Sequence, residues 1–239
     1  KIIELSSLEE AEIIKLASNS FRDLNFSFAN EITRIASKFN LSGNKLIKNS
    51  NLGYIRNRIS LPSIGVGGYC LPKDPILFSK FLDKSDGYIL GQVSRRINSN
   101  NIKESLKRIL KEKKIFKKVL ILGATFKGLP ETIDIRNSPS IEISKLLKKV
   151  SKQIEFYDVM QREIKLNNKK LEIKFVKNLN ILNNFDLIIL ANNHPKYVQI
   201  IESEKGIKFN KKSKKIIFDP WCLLNQDLIL KQNWTYISL

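Results

Sequence analysis

Covalent chemistry in this chain would have to start from Cys70. It closes a glycine-rich run, Gly65-Val66-Gly67-Gly68-Tyr69-Cys70, and is followed by Leu71-Pro72-Lys73-Asp74-Pro75. Glycines so placed mean that backbone must approach something closely or turn with positive φ. A cysteine at a helix start with lysine nearby can act as a nucleophile, because positive charge favours the thiolate. On the residues alone, a buried and inert thiol is the simpler reading. Asp74, just before Pro75, suits the N-cap of the next helix, a role compatible with chemistry. Neither a G-x-x-x-x-G-K-[ST] phosphate loop nor a G-x-G-x-x-G turn occurs. Upstream, Lys15, Asn19 and Arg22 fall at i, i+4 and i+7, on one helical face. Such a polar stripe usually faces water and matters only if it meets the cysteine loop. The other cysteine, Cys222, lies among Trp221, Leu223 and Leu224 and reads as packing, while the single histidine, His194, reads as a helix-start residue. Two cysteines and one histidine argue against a disulfide framework and give no metal site.

The elements that would position these residues fall into two blocks. Residues 8–39 carry Ile13, Leu16, Phe21, Leu24, Phe28, Ile32, Ile35 and Phe39 at helical spacing, without Gly or Pro. Ser6 or Ser7 suits the N-cap, with Glu9 and Glu10 in the first turn. Residues 49–73 read as irregular, 75–83 as a helix and 87–112 as a long helix. After Lys117 the pattern changes. Strands are expected at 119–126, 154–158, 186–192, 215–219 and 234–238, and a helix from Ser138-Pro139 to Val150, with Pro at its first position. Strands alternating with short helices argue for a parallel, doubly wound sheet. The chain thus divides into a helical domain, 1–112, and an α/β domain, 113–239.

Composition narrows the classes. Hydrophobic residues make up 42% of 239, enough for a real core. No apolar run approaches the length of a membrane span and no leader opens the chain, so a cytoplasmic setting is expected. The net charge of +19 is spread among Asn- and Ile-rich stretches without a nucleic-acid-binding motif. Attraction for a doubly charged nucleotide diphosphate explains it more simply than specific nucleic-acid binding.

Three segments carry a family resemblance. EIIKLASNSFRDLNFSFANE (12–31), GVGGYCLPKDP (65–75) and LGATFKGLPETIDIRNSPS (122–140), with Tyr157-Asp158 at a strand end, resemble the UDP-glucose/GDP-mannose dehydrogenase family. They occur in order and span most of the chain. The resemblance implies a helical dimerisation domain followed by a Rossmann-like UDP-binding domain. It implies NAD-dependent oxidation of C6 of a nucleotide sugar from alcohol through aldehyde to acid. Cys70 would attack the aldehyde, giving a thiohemiacetal and then a thioester that water hydrolyses. Lys15 and Asn19 would stabilise the oxyanion, and Asp74 would orient water and assist proton transfer. Gly65, Gly67 and Gly68 would let backbone amides reach the sugar. Tyr54 and Arg56 would contact the nucleotide sugar, Arg56 across a dimer interface. Lys127 would approach the diphosphate and Arg136 the NAD pyrophosphate. Arg22, three residues after Asn19, resembles the dehydrogenases of UDP-N-acetylhexosamines, whether UDP-N-acetyl-mannosamine, -glucosamine or -galactosamine; UDP-glucose and GDP-mannose stay open.

The resemblance also implies a front NAD-binding domain that no stretch here matches, so the chain alone is expected not to turn over. The competing reading is a non-catalytic fragment that dimerises and binds UDP-sugars. A second departure is Asp219-Pro220-Trp221, near where some relatives place a substrate-contacting arginine; diphosphate binding there is expected to differ.

Overall fold

A computed structural model describes residues 2–56, 58–82, 89–168, 172–179, 181–211 and 214–239. The first helix, α1 (Leu8–Lys38), starts at Ser7, whose side chain accepts from the Glu10 amide. Glu10 in turn accepts from the amide and hydroxyl of Ser6, so the two serines and the glutamate together settle the helix start. A second helix, α2 (Gly43–Asn51), crosses α1 closely enough that a Cβ on Gly43 would lie 2.7 Å from Thr33. Its residues carry little helical signal, because Leu46 and Ile47 are its only large apolar side chains. The helix expected over 75–83 is a five-residue α3 (Asp74–Phe78) tightening into a 3-10 turn, Ser79–Phe81; residue 83 lies outside the described residues. The long α4 (Leu90–Glu112) packs along α1; the expected start at 87 is also outside the described residues.

The apolar stripe of α1 does not face this chain's core. Phe21, Phe28, Ile35 and Phe39 are exposed by 52–69%. The residues buried against α4 and the loops are instead Leu16, Ser20, Asp23, Ser27, Ala29, Asn30, Thr33 and Ala36. The buried side of α4 is equally polar: Ser94, Asn98, Asn101 and Ser105, with Ile109. Amphipathic periodicity identified the helix but not its inward face, because hydrogen bonds rather than apolar contacts join the two helices.

The second block is a five-stranded parallel sheet in the order β2-β1-β3-β4-β5. Its strands are β1 (Phe116–Leu122), β2 (Ser151–Tyr157), β3 (Leu187–Leu190), β4 (Ile216–Phe218) and β5 (Thr235–Ile237). The helices α5 (Pro139–Leu147), α6 (Gln161–Asn167), α7 (Pro195–Glu202) and α8 (Gln226–Lys231) alternate with them. The first strand ends before its expected limit, because Gly123 turns at φ +99 with its Cα against the Asn192 side chain. Alternate residues feed two apolar layers, Val119 and Ile121 into one and Leu120 and Leu122 into the other. Ile64, from the loop before the glycines, and Ile109, from α4, sink into the first layer. That burial seats the cysteine loop against the sheet. Among the described residues, no helix is long and apolar enough to cross a membrane.

Candidate active site

Asp74 gathers the first group of candidates. Its carboxylate is fully buried and accepts from Asn19 Nδ2 at 2.7 Å, Lys73 Nζ at 2.6 Å and Lys15 Nζ at 3.4 Å. Two turns of α1 thus deliver Lys15 and Asn19 to the start of α3, and the face they share meets the cysteine loop. Burial by itself raises the Asp74 pKa, but the hydrogen bonds from Lys73, Asn19 and Lys15 outweigh it and hold the carboxyl below its ordinary value. The expected capping role is not observed: Lys73 occupies the cap position and no side chain caps α3. The carboxylate turns to the lysines and the asparagine instead, where its charge is compensated.

Cys70 stands one turn earlier. Its carbonyl accepts from the amides of Lys73 at 3.0 Å and Asp74 at 2.8 Å, and the residue is exposed, whereas Cys222 is half-buried. Beside it the Tyr69 ring has Lys73 Nζ at 5.1 Å and the Arg136 guanidinium at 4.5 Å. Arg136 also grips Asp134 through two nitrogens, at 2.9 and 2.7 Å. That contact raises the arginine pKa and is the main cause holding Asp134 below the ordinary carboxylate value. The arginine expected to reach a dinucleotide pyrophosphate is therefore anchored beside the cysteine, and Asp134, its partner, was not anticipated.

Gly67 and Gly68 dock the loop onto the α/β block, while Gly65 packs chiefly on α4 of its own block. A Cβ on Gly67 would strike the Asn137 carbonyl oxygen, and one on Gly65 would lie 2.9 Å from Ile102. Gly68, at φ +90, lies against Phe126. Its amide, expected to face a sugar, donates to the Arg136 carbonyl at 3.0 Å, and its carbonyl accepts from Asn137 Nδ2. Close approach of backbone occurs at all three glycines, and in each case the surface approached is the chain itself.

A cleft of about 380 Å³ opens between the blocks. Arg22 and Phe26 of α1, the backbone at Gly65 and Gly67, and Phe126, Lys127 and Trp221 of the α/β block all line it. Lys127 leans over the Phe126 ring, its Nζ 5.4 Å from the centroid. Among the described residues neither Arg22 nor Lys127 has a carboxylate at ion-pair distance, so both charges are available to an anion. The Trp221 indole nitrogen is buried and has no hydrogen-bond partner among the described residues. Only its place in a departure from family pattern had drawn attention to Trp221. Tyr54 and Arg56 lie in the exposed turn after α2 and are not among the cleft's lining residues.

His194 is the N-cap of α7: Nδ1 accepts from the Lys196 amide, which leaves Nε2–H to donate to Glu131 at 2.9 Å. The described residues do not fit a dinucleotide at the head of the sheet. There Asp158 accepts from the amides of Ala124 at 2.7 Å and Thr125 at 3.2 Å, so the groups that would meet a pyrophosphate already hold a carboxylate. No cluster of three or more metal-ligating side chains occurs among the described residues.

Comparison with known proteins places these features in a family. Residues 9–101 match the central domain of the UDP-glucose/GDP-mannose dehydrogenase family, and residues 120–226 match its UDP binding domain. A UDP-N-acetyl-D-mannosamine dehydrogenase of Campylobacter jejuni is 32% identical over 210 residues, covering 86% of this chain and 50% of that protein. An NDP-N-acetyl-D-galactosaminuronic acid dehydrogenase of Ralstonia solanacearum is 30% identical over 190 residues, 78% of this chain and 43% of that protein. The solved structure of the UDP-D-ManNAc dehydrogenase from Pyrococcus horikoshii superposes with a TM-score of 0.76 at 25% identity, over 96% of this chain and 51% of the other. The chain spans about half the length of the curated relatives it matches.

Proposed function

The chain belongs to the UDP-glucose/GDP-mannose dehydrogenase family, and on that premise we propose that it forms the substrate-holding, nucleophile-bearing part of a nucleotide-sugar 6-dehydrogenase. One observation carries the reading: Asp74 draws Lys15, Asn19 and Lys73 together one turn from an exposed Cys70. In this reading the Cys70 sulfur adds to the C6 aldehyde, and the carbonyl oxygen becomes an oxyanion that must be stabilised as it forms. Asn19 suits that task, because Asp74 fixes one of its two amide hydrogens and thereby aims the other. Lys15, loosely paired at 3.4 Å and 61% exposed in its side chain, is free to turn toward substrate. Asp74 then assists proton transfer when water releases the acid from sulfur. NAD supplies the hydride acceptor for both oxidations, held by a domain that these residues do not form.

Arg22 of α1 and Lys127 of the α/β block, which both line the cleft without an ion pair among the described residues, suit the diphosphate of a nucleotide sugar. The relatives named for N-acetylhexosamine nucleotides make a UDP-N-acetylhexosamine the leading substrate class. The exposed stripe Phe21, Phe28 and Ile35 on α1 supports a homodimer paired through that helix. Tyr54 and Arg56, away from the cleft, would then act across the pair.

Calorimetric titration of the chain with UDP-N-acetylmannosamine, UDP-N-acetylglucosamine, UDP-glucose and GDP-mannose tests the substrate assignment. Binding of one N-acetylhexosamine nucleotide well above the rest is expected; preference for UDP-glucose or GDP-mannose would reject it. Joined to a compatible NAD-binding domain, the Cys70→Ser variant should no longer form acid. Retained acid formation would reject the thioester route.

A further inference from the structure

We infer that Asn30, with its partners on α4, is a positioning residue that sets the cysteine loop at a fixed distance from α1. The inference rests on the reading of Cys70 as the nucleophile. The Asn30 side chain is fully buried and uses both ends: Nδ2 donates to Asn98 Oδ1 at 2.8 Å, and Oδ1 accepts from the Ser63 amide at 3.1 Å. Asn98 Nδ2 continues to Asp23, reaching its carboxylate at 2.8 Å and its carbonyl at 3.0 Å. Ser94 and Arg95 donate to the same carboxylate. On the loop side, Asn101 Nδ2 donates to the Ser63 carbonyl, the Ser63 hydroxyl to the Gly65 carbonyl at 2.9 Å, and Arg95 to the Val66 carbonyl at 3.4 Å.

The two ends of this chain of bonds give it meaning. Asp23 follows Arg22 directly and lies one helical turn beyond Asn19; Ser63 enters the glycine run that ends at Cys70. The network therefore connects the helix carrying Lys15, Asn19 and Arg22 to the loop carrying the sulfur. Apolar packing between α1 and α4 would stabilise the pair at least as well. A fully paired polar network adds one geometry, because any slip leaves buried donors and acceptors unmet.

Amide hydrogen exchange and alkylation of the full chain test this, with Asn30→Ala and Asn30→Asp compared to wild type. Asn30→Ala removes the acceptor for Ser63. Exchange over 63–68 should rise about tenfold or more, and Cys70 alkylation by iodoacetamide should change about threefold or more while that of Cys222 holds within about twofold. Asn30→Asp keeps the acceptor but buries a new charge. It should melt below Asn30→Ala yet keep the loop amides better protected. A purely structural role predicts the reverse, loop protection following melting temperature in both variants, and that result overturns the inference. So does an unchanged loop in Asn30→Ala. Where Asn30→Asp fails to fold, Asn101→Ala takes its place: it removes only the donor to the Ser63 carbonyl and should raise loop exchange while exchange along α1 stays at the wild-type rate, and equal rises in both overturn the inference. No readout uses turnover, so failure of the Cys70 chemistry in the Cys70→Ser test stays distinguishable from failure of the positioning role.

Discussion

Replacing Asp74 by asparagine removes one charge and one acceptor from a point where three donors converge. Lys73 holds Oδ1, while Asn19 and Lys15 share Oδ2. An asparagine offers one oxygen, so whichever way its amide turns, an NH2 group faces a donor. The two lysine contacts are left out of the sum, because the Lys15 and Lys73 side chains are 61% and 39% exposed and solvent screens them. The short bond from Asn19 to a buried carboxylate is of the class that contributes about 1.5–3 kcal/mol. The expected loss in urea unfolding at pH 7 is therefore about 1.5–3 kcal/mol, with an unchanged denaturant slope. The pH dependence carries its own signature. The folded-state pKa lies below the ordinary value, because the three donors outweigh burial. Near pH 4 the unfolded chain consequently binds more protons at this position than the folded one. The contribution is complete above the unfolded value of about 4 and is lost as pH falls through the lower folded value. The difference between wild type and Asp74→Asn should shrink in that acid window. A variant within about 0.5 kcal/mol of wild type at pH 7, or a difference that stays constant into strong acid, would refute the assignment of these bonds.

Gly67→Ala should lower stability by about 1–3 kcal/mol, because its Cβ would meet the Asn137 carbonyl and lie 2.9 Å from Pro139 Cδ; a melting temperature equal to wild type counts against the close docking. Asp219 is buried and accepts from the amides of Trp221, Leu223 and Leu224 and from the Tyr236 hydroxyl. Burial raises its pKa, so from the ordinary carboxyl value of about 4 up to the raised folded value stability falls as pH increases. Asp219→Asn abolishes that slope and costs about 2–4 kcal/mol by opposing an NH2 to donors, as denaturant titrations across pH will register. Lys127→Ala should weaken UDP-sugar binding about tenfold and reduce its salt dependence. Its melting temperature should stay near wild type, because the Lys127 side chain lies over the Phe126 ring and forms no ion pair among the described residues; unchanged affinity would remove Lys127 from the site.

The periodicity of α1, the alternation of strands and helices after Lys117 and the Pro139 helix start were legible because local pattern is enough to settle them. Element ends moved by several residues where one contact decided, as at Gly123, whose left-handed turn against Asn192 closes β1. The helix α2 escaped notice because its burial rests on Gly43, Asn44 and Ile47 rather than on an apolar stripe.

The candidate site divides along the same line. Residue type and motif singled out Cys70, Lys15, Asn19 and Asp74, and the i, i+4 spacing put the lysine and asparagine on one helical face. The order of residues could not say what that face meets. The fold turns it onto the Asp74 carboxylate, withdraws Asp74 from capping, ties Arg136 to Asp134 and directs the Gly68 amide to the Arg136 carbonyl. It also leaves the phenylalanines of α1 outward and joins α1 to α4 through asparagines. Local sequence fixes which groups share a surface, since helical and strand periods follow from backbone geometry. Which surface they then meet depends on contacts between residues far apart in the chain, where donors, acceptors and charges find partners only once the whole fold has closed.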